Sequence, residues 1–379
     1  MNPNANKMKA AVLKGGSQVR NLRDFVLGKI SMPRVQKGDV LVQVYACGFC
    51  QTDYKAITGK RALPILDDHI VGHEPSGVIV DVGEKVKDFH VGDRVAISPL
   101  AYCGECSQCR RGSAFTHYCQ NAIVYGGDGP PKVQNGAFAQ YIAVDQKSVY
   151  PIPDGISFED AALLEPTAGA WKGLHNSEMG KGEDVVVIGA GGIGMLVALL
   201  AKKLGGGRVV VIDISQYVLS KASEWGIDHV VQPSEVTGKA AYTARDYQII
   251  TDHVCRLLGK QPDLVIESAG PPEAVGLMWN MVLSGRGIKG NVFGITTHEE
   301  IPVDCGKLHF AEPKITSSFN VSRYSLEQAM KVIEKGFRPS QIVTHRYRLD
   351  QIHDAVEMVS QPDRLKVMVY PNPDLYSGM

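Results

Sequence analysis

The sequence predicts an α/β protein with an irregular, mostly-β domain over residues 1–165, a doubly wound parallel sheet over 166–311, and a return to the first domain over 312–379. Three observations predict it. Short apolar runs alternate with polar turns up to about residue 150, the texture of small strands. From residue 184 continuous apolar runs alternate with helical patterns, which lays down a parallel sheet with helices on both faces. A cysteine-rich loop interrupts the first pattern, and a glycine-rich loop opens the second.

Taken in order, residues 8–13 and 39–46 are strand candidates, the second the clearer. Residues 77–82 form a short apolar run between Gly77 and Gly83, directly behind Gly72, His73 and Glu74. Ser157 reads as an N-cap with Asp160 three residues on, so a helix starts there. Residues 184–188 are a continuous apolar run, as a buried parallel strand requires. A helix over 195–204, a strand over 208–213, a helix over 216–225 and strands over 263–267 and 287–293 follow. The polar stretch 232–261 is longer than a plain crossover needs, and its residues disclose no function. Amphipathic helices are expected over 326–335 and 350–359.

Composition removes several classes of function. Lysine plus arginine equals aspartate plus glutamate at 40 each, which argues against a nucleic-acid or anionic-membrane partner. No apolar run approaches the roughly 18 residues of a membrane helix. Residues 1–7 lack an apolar signal core, so a cytoplasmic location is expected. Of eight cysteines, six lie between Cys47 and Cys119, and in a reducing compartment such clustering reads as metal binding.

Gly189, Gly191, Gly192, Ile193 and Gly194 follow the first buried strand and open the next helix. The first glycine allows the tight turn, the second admits a pyrophosphate to the backbone, and the last lets helix and strand pack closely. The helix N-terminus offers unpaired N–H groups to the phosphates. Asp213 ends the second strand 19 residues after Gly194, where a carboxylate accepts from ribose hydroxyls and repels a 2′-phosphate. That favours NAD over NADP. The blander alternative makes the loop a plain turn and Asp213 a cap.

Two metal constellations stand out. Cys103, Cys106 and Cys109 are spaced by two residues each, with Cys119 nine intervening residues later. Four thiolates close a tetrahedral zinc site that leaves no position for substrate and pins a lobe over about 99–123. His117 is the alternative fourth ligand. The second set is dispersed: Cys50, His73 and Glu165 are expected around one zinc with an open position, Glu74 close behind. Asp53 is placed to orient the His73 imidazole. Cys47 reads as a buried thiol.

Together these pieces resemble the zinc-dependent medium-chain alcohol and polyol dehydrogenases. The family pattern of Gly-His-Glu, two residues, Gly, five residues, Gly, two residues, Val is matched from Gly72 to Val86. Glu165 followed by Pro166 is similar to the sorbitol, butanediol and threonine dehydrogenase branches, whereas ordinary alcohol dehydrogenases place cysteine there. The resemblance implies a GroES-like catalytic domain with a Rossmann domain, two zinc ions per chain and NAD as cofactor. It makes Cys50, His73 and Glu165 ligands of the catalytic zinc, with Glu74 a second carboxylate ligand or exchanging neighbour, and Thr52 the hydroxyl of the proton relay.

The implied reaction is hydride transfer between a secondary alcohol or polyol and NAD, in a homo-oligomer of two or four subunits. Three departures stand against this frame. The cysteine lobe is two residues longer before Cys119 than usual, Lys55 replaces the relay histidine of many members, and Asn320 stands where sorbitol dehydrogenases carry arginine. The last argues against sorbitol itself. Tyr54, Phe115 and Asn320 are candidate pocket residues. Rival readings are an amino-alcohol (threonine-like) dehydrogenase, a zinc-free reductase of the same fold, and a non-enzymatic NAD-binding or redox-sensing protein.

Overall fold

The computed structural model describes residues 7–15, 22–60, 68–127, 132–295, 300–372 and 375, and the polar residues 1–6 lie outside them. The chain divides into two compact units. The first takes Met1–Glu165, Ser322–Gln361 and Lys366–Met379, and the second takes Pro166–Val321 and Pro362–Leu365.

In the first unit the clearest sequence strand becomes β1 (Asp39–Phe49), followed by the two-turn helix α1 (Gln51–Ile57). Then come β2 (Glu74–Val82), β3 (Arg94–Ile97), β4 (Tyr141–Asp145) and β5 (Val149–Pro151). Val40, Val42 and Val44 alternate along β1 and are fully buried, the period-2 signature of one covered face. β1 pairs antiparallel with both β2 and β4. A small lobe carries its own core of Leu100, Tyr102, Ala122 and Val124, against which Cys109 and Cys119 pack. Ser157 caps the short helix Phe158–Ala162 by accepting from Asp160 N at 3.0 Å, as its spacing predicts.

The second unit opens with helix α2 (Leu164–Asn176), whose first residues still belong to the first unit. Strand and helix then alternate: β6 (Val185–Ile188), α3 (Gly192–Lys203), β7 (Val209–Ile212), α4 (Gln216–Glu224), β8 (His229–Val231), α5 (Tyr247–Leu258), β9 (Leu264–Glu267), α6 (Pro272–Leu283), β10 (Lys289–Val292) and β11 (Lys314–Ser317). The sheet order is β8-β7-β6-β9-β10-β11, every pair parallel. Apolar strands without alternation follow from burial on both faces: each residue of β6 and β7 is at most 2% exposed. The stretch 232–261 resolves into a short helix, Pro233–Thr237, an irregular loop, and α5.

The chain returns through α7 (Arg323–Glu334), β12 (Val343–Arg348), α8 (Ile352–Ser360) and β13 (Lys366–Tyr370). The sequence placed this return at 312. The chain instead stays in the second unit to Val321, because β11 pairs with β10 in register Gly290↔Ile315 and extends the parallel sheet. β13 then lies antiparallel to β1, with Met368 opposite Gly48, and parallel to β12. Arg346 of β12 ion-pairs with Glu159 at 2.8 Å, which ties the returning segment to the helix Phe158–Ala162. Among the described residues no helix is long and apolar enough to cross a membrane.

Candidate functional site

Strand register assembles the first metal constellation. β1 runs into Cys50, which is the N-cap of α1, and β2 begins at Glu74, directly after His73. Because Gly48 pairs with Glu74 across these strands, the Cys50 thiol, the His73 ring and the Glu74 carboxylate reach one point. Their ligand atoms lie within 4.8 Å of one another.

Asp53 organises the group. It is 2% exposed and accepts from Cys50 N at 3.0 Å, closing the capping box of α1. The same carboxylate accepts from Gly72 N at 3.1 Å and sits 3.0 Å from His73 Nδ1. An ionised carboxylate only accepts, so the proton belongs on Nδ1 and the Nε2 lone pair is left for a metal. Burial alone draws the His73 imidazole down, but the charge and hydrogen bond of Asp53, with help from Cys50, raise it well above its ordinary value. The pocket therefore favours a cation, whether a proton or a metal.

Glu74 is held by a residue that the sequence reading missed. Lys366, on β13, donates to Glu74 Oε1 at 2.6 Å and lies 2.5 Å from Oε2, and the two residues are 7% and 1% exposed. A lone lysine inside the apolar strand Lys366–Tyr370 was the available signal. Gly48 makes the contact possible, since a Cβ there would stand 2.0 Å from Glu74 Oε2 and 3.0 Å from Lys366 Cε.

Glu165 lies beside this triad and outside the group that shares one ligand point. It opens α2, and burial pushes its carboxyl up to about 7, with the charges of His73, Glu74, Lys366 and Asp53 within reach. Of the four expected residues, Cys50, His73 and Glu74 thus share one ligand point. Register explains why Glu74 is among them, because it is locked opposite Gly48, while Glu165 comes from a helix start. Thr52 Oγ1 stands 3.5 Å from Cys50 Sγ. Cys47 is buried, its thiol donating to Gly48 O at 3.7 Å.

In the lobe, Cys103, Cys106, Cys109 and Cys119 bring four sulfurs within 4.8 Å of one another, and His117 is not among them. Individual separations are 3.5 Å for Cys119–Cys103 and 3.9 Å for both Cys103–Cys109 and Cys106–Cys119. A disulfide needs about 2.05 Å. Zinc–sulfur bonds of about 2.3 Å in a tetrahedron place sulfurs about 3.8 Å apart, so the four thiols fit a zinc ion. Backbone N–H groups of Cys109 and Gln120 pull the Cys106 thiol down to about 6, toward the thiolate form that a metal takes.

The dinucleotide loop lies in the second unit. Gly189 has φ +85°, a left-handed conformation suited to glycine. A Cβ on Gly194 would meet Gly189 O at 1.9 Å, so helix and strand touch as the motif requires. At Gly191, the N-cap of α3, a Cβ would meet nothing within 4 Å. That open cradle at a helix N-terminus fits a pyrophosphate. Gly192 and Ile193 are the first residues of α3. Asp213 Oδ2 accepts from Ala190 N at 2.7 Å and Oδ1 from Ser215 N at 2.8 Å, so the acid shapes the turn and retains lone pairs for a ribose.

Of the candidate pocket residues, Tyr54 lies on α1 and Phe115 stacks under Arg111, 3.8 Å from its guanidinium carbon. Asn320 adopts φ +59° with its backbone O 3.2 Å from Lys172 Nζ. Lys172 is itself a buried residue of the second unit, and it also donates to Phe319 O at 2.7 Å.

Residues 36–154 match the family described as alcohol dehydrogenase GroES-like domain, and residues 192–335 match the family described as zinc-binding dehydrogenase. The chain is 30% identical to a sorbitol dehydrogenase of Bacillus subtilis (strain 168) over 372 residues, 96% of this chain and 98% of that protein. It is 30% identical to an L-threonine 3-dehydrogenase of Rhizobium etli (strain CIAT 652), covering 90% of this chain and 93% of that one. Its fold is similar to that of a putative zinc-binding dehydrogenase from Sinorhizobium meliloti 1021 bound to NADP, with TM-score 0.83, 26% identity, and coverage of 96% and 99%.

Proposed function

The chain belongs to the zinc-binding dehydrogenases with an alcohol dehydrogenase GroES-like domain, and from that premise we propose that it oxidises a secondary alcohol or polyol reversibly with NAD. The observation that carries the reading is the convergence of Cys50, His73 and Glu74 ligand atoms within 4.8 Å, on an imidazole oriented by Asp53. These three hold the catalytic metal, with Glu165 as a neighbouring carboxylate that exchanges with Glu74. The four thiols of Cys103, Cys106, Cys109 and Cys119 hold a second zinc with a structural role.

When bound, zinc supplies Lewis acidity to a substrate hydroxyl and NAD supplies the hydride acceptor. The chain's own residues do the rest. Asp53 keeps the Nδ1 proton of His73 in place and anchors the start of α1, which fixes Cys50. Lys366 holds the Glu74 carboxylate and balances the negative charge gathered there. Thr52 Oγ1, beside Cys50, relays the substrate's hydroxyl proton, accepting it as its own proton passes outward to water. Gly191 and the first N–H groups of α3 receive the pyrophosphate, and Asp213 the adenosine ribose.

The Asp213 carboxylate supports NAD over NADP by charge repulsion of a 2′-phosphate. The Sinorhizobium relative is bound to NADP, so a side-by-side titration of both dinucleotides is the direct check. We also read the enzyme as a cytoplasmic homo-oligomer acting on a small molecule, and thiols at metal-binding spacing support a reducing compartment. Relatives named for sorbitol and for threonine support a panel of polyols and amino alcohols as the substrate search.

Cys50→Ser should abolish turnover on the responsive panel member while dinucleotide affinity stays near wild type. Full activity in that variant would remove the metal assignment.

A further inference from the structure

The connection after β8 departs from the sheet beside the ribose acid. Asp213 N donates to Val231 O at 3.2 Å, and Gln232 Nε2 donates to Ile214 O at 3.1 Å. The loop between Gly238 and α5 is a built structure. Asp246, 1% exposed, accepts from Thr243 N at 2.9 Å and Thr243 Oγ1 at 3.0 Å, and it ion-pairs with Lys239. This closed turn carries Tyr242, half-buried against the core below α5 and α6. Its ring meets Tyr247 edge-on at 6.2 Å.

Burial first, and then the neighbouring Tyr247, Glu273, Glu267 and Asp213, push the Tyr242 phenol above its usual range, so it stays a protonated donor. Tyr247, which it meets, stands over Gly276 in the second turn of α6, its hydroxyl 2.5 Å from where a Cβ would lie, so the pair sits near the carboxyl end of β9, while the connection itself leaves β8 beside Ile214, past the end of β7. Dinucleotides bind in the crevice outside the carboxyl ends of such strands. A ribose on Asp213 puts the purine next to Ile214, an aliphatic side chain left 75% exposed. Past β9 the exposed residues Ala269 and Pro271 offer small aliphatic surfaces. An aromatic ring stacked on a base contributes more, about 1–3 kcal/mol.

We propose that Tyr242 is a recognition residue of the adenosine subsite, its ring packing against the adenine. The inference rests on the dinucleotide reading above and gives the long connection 232–261 its role. It concerns the adenosine half alone, so AMP is a sufficient probe.

The test is calorimetric titration of the full-length, zinc-loaded protein with AMP and with NAD. Tyr242→Ala should weaken both by about tenfold, the range of one base–aromatic stack, while Tyr242→Phe stays within about twofold of wild type for AMP. Tyr242→Trp, which preserves a ring if the truncation disturbs folding, should gain fluorescence quenching on AMP addition that wild type lacks. Wild-type AMP affinity in Tyr242→Ala, or an unresponsive Tyr242→Trp, overturns the proposal. If wild type binds neither AMP nor NAD, the dinucleotide reading falls and takes the proposal with it.

Discussion

Two lysines show how much single residues decide. Lys366 sits against Glu74 with both side chains buried, so removing one partner strands the other charge in a low dielectric. Lys366→Met should cost about 3–5 kcal/mol in urea unfolding of the metal-free protein, and adding Glu74→Gln should recover much of it. An unchanged urea midpoint in the single variant would mean that the pair is solvated. Among the described residues Lys172 donates to the carbonyls of Phe319 and Asn320 and ion-pairs with no carboxylate, and burial pulls its amine down to about 8 from 10.5. Between those values the unfolded chain holds more protons than the folded one, so this group makes stability rise with pH across the window. Relative to Lys172→Met, wild type should gain about 2 kcal/mol between pH 7.5 and 10.5, after allowance for solvent screening. A difference that stays flat with pH would show the amine fully hydrated. Neither lysine's partner could be read from sequence. Asp53 with His73 was legible because metal-binding histidines need an acid nearby, but the Glu74 partner lies 292 positions away, beyond any local pattern.

At the scale of elements, the glycine loop separates two jobs that a motif runs together. Gly194 is packed shut, with Gly189 O and Ser268 Oγ at 1.9 and 2.5 Å from where a Cβ would stand. Gly194→Ala should therefore destabilise the second unit by about 1–3 kcal/mol in thermal unfolding, with or without ligand. Gly191 faces open space, so Gly191→Ala should change stability by less than about 0.5 kcal/mol yet weaken NAD binding, because the methyl group fills the phosphate cradle. NAD affinity at the wild-type value in Gly191→Ala would place the pyrophosphate elsewhere. Strands β6 and β7 and helices α3 and α4 were legible because their periodicity is local, and each lies within a few residues of its expected bounds. β11 was not, since the strand Lys314–Ser317 is partly exposed and mixed in character, and only its pairing with β10 reveals it.

For the molecule as a whole, the two constellations predict about two zinc ions per chain by elemental analysis of the purified protein. Cys109→Ser should lower that to about one, because three thiols no longer close the tetrahedron, and should make residues 100–127 the first region cut by protease. Retention of both ions would show that the lobe does not bind zinc through this residue. Global organisation was legible down to the 165/166 division, which coincides with the start of α2, whereas the return point depended on β11 and fell ten residues later.

The distance along the chain between Glu74 and Lys366 also sets an order of events during synthesis. At about 5–20 residues per second, the 292 positions from one to the other take roughly 15 to 60 s to make. Over that interval the nascent chain already holds Cys50, His73 and Glu74 but not the lysine that pairs with the glutamate. In a ribosome-bound chain stopped short of Lys366, Glu74 is without the ammonium that pairs with it in the finished protein, so that ion pair is among the last contacts of the fold to form.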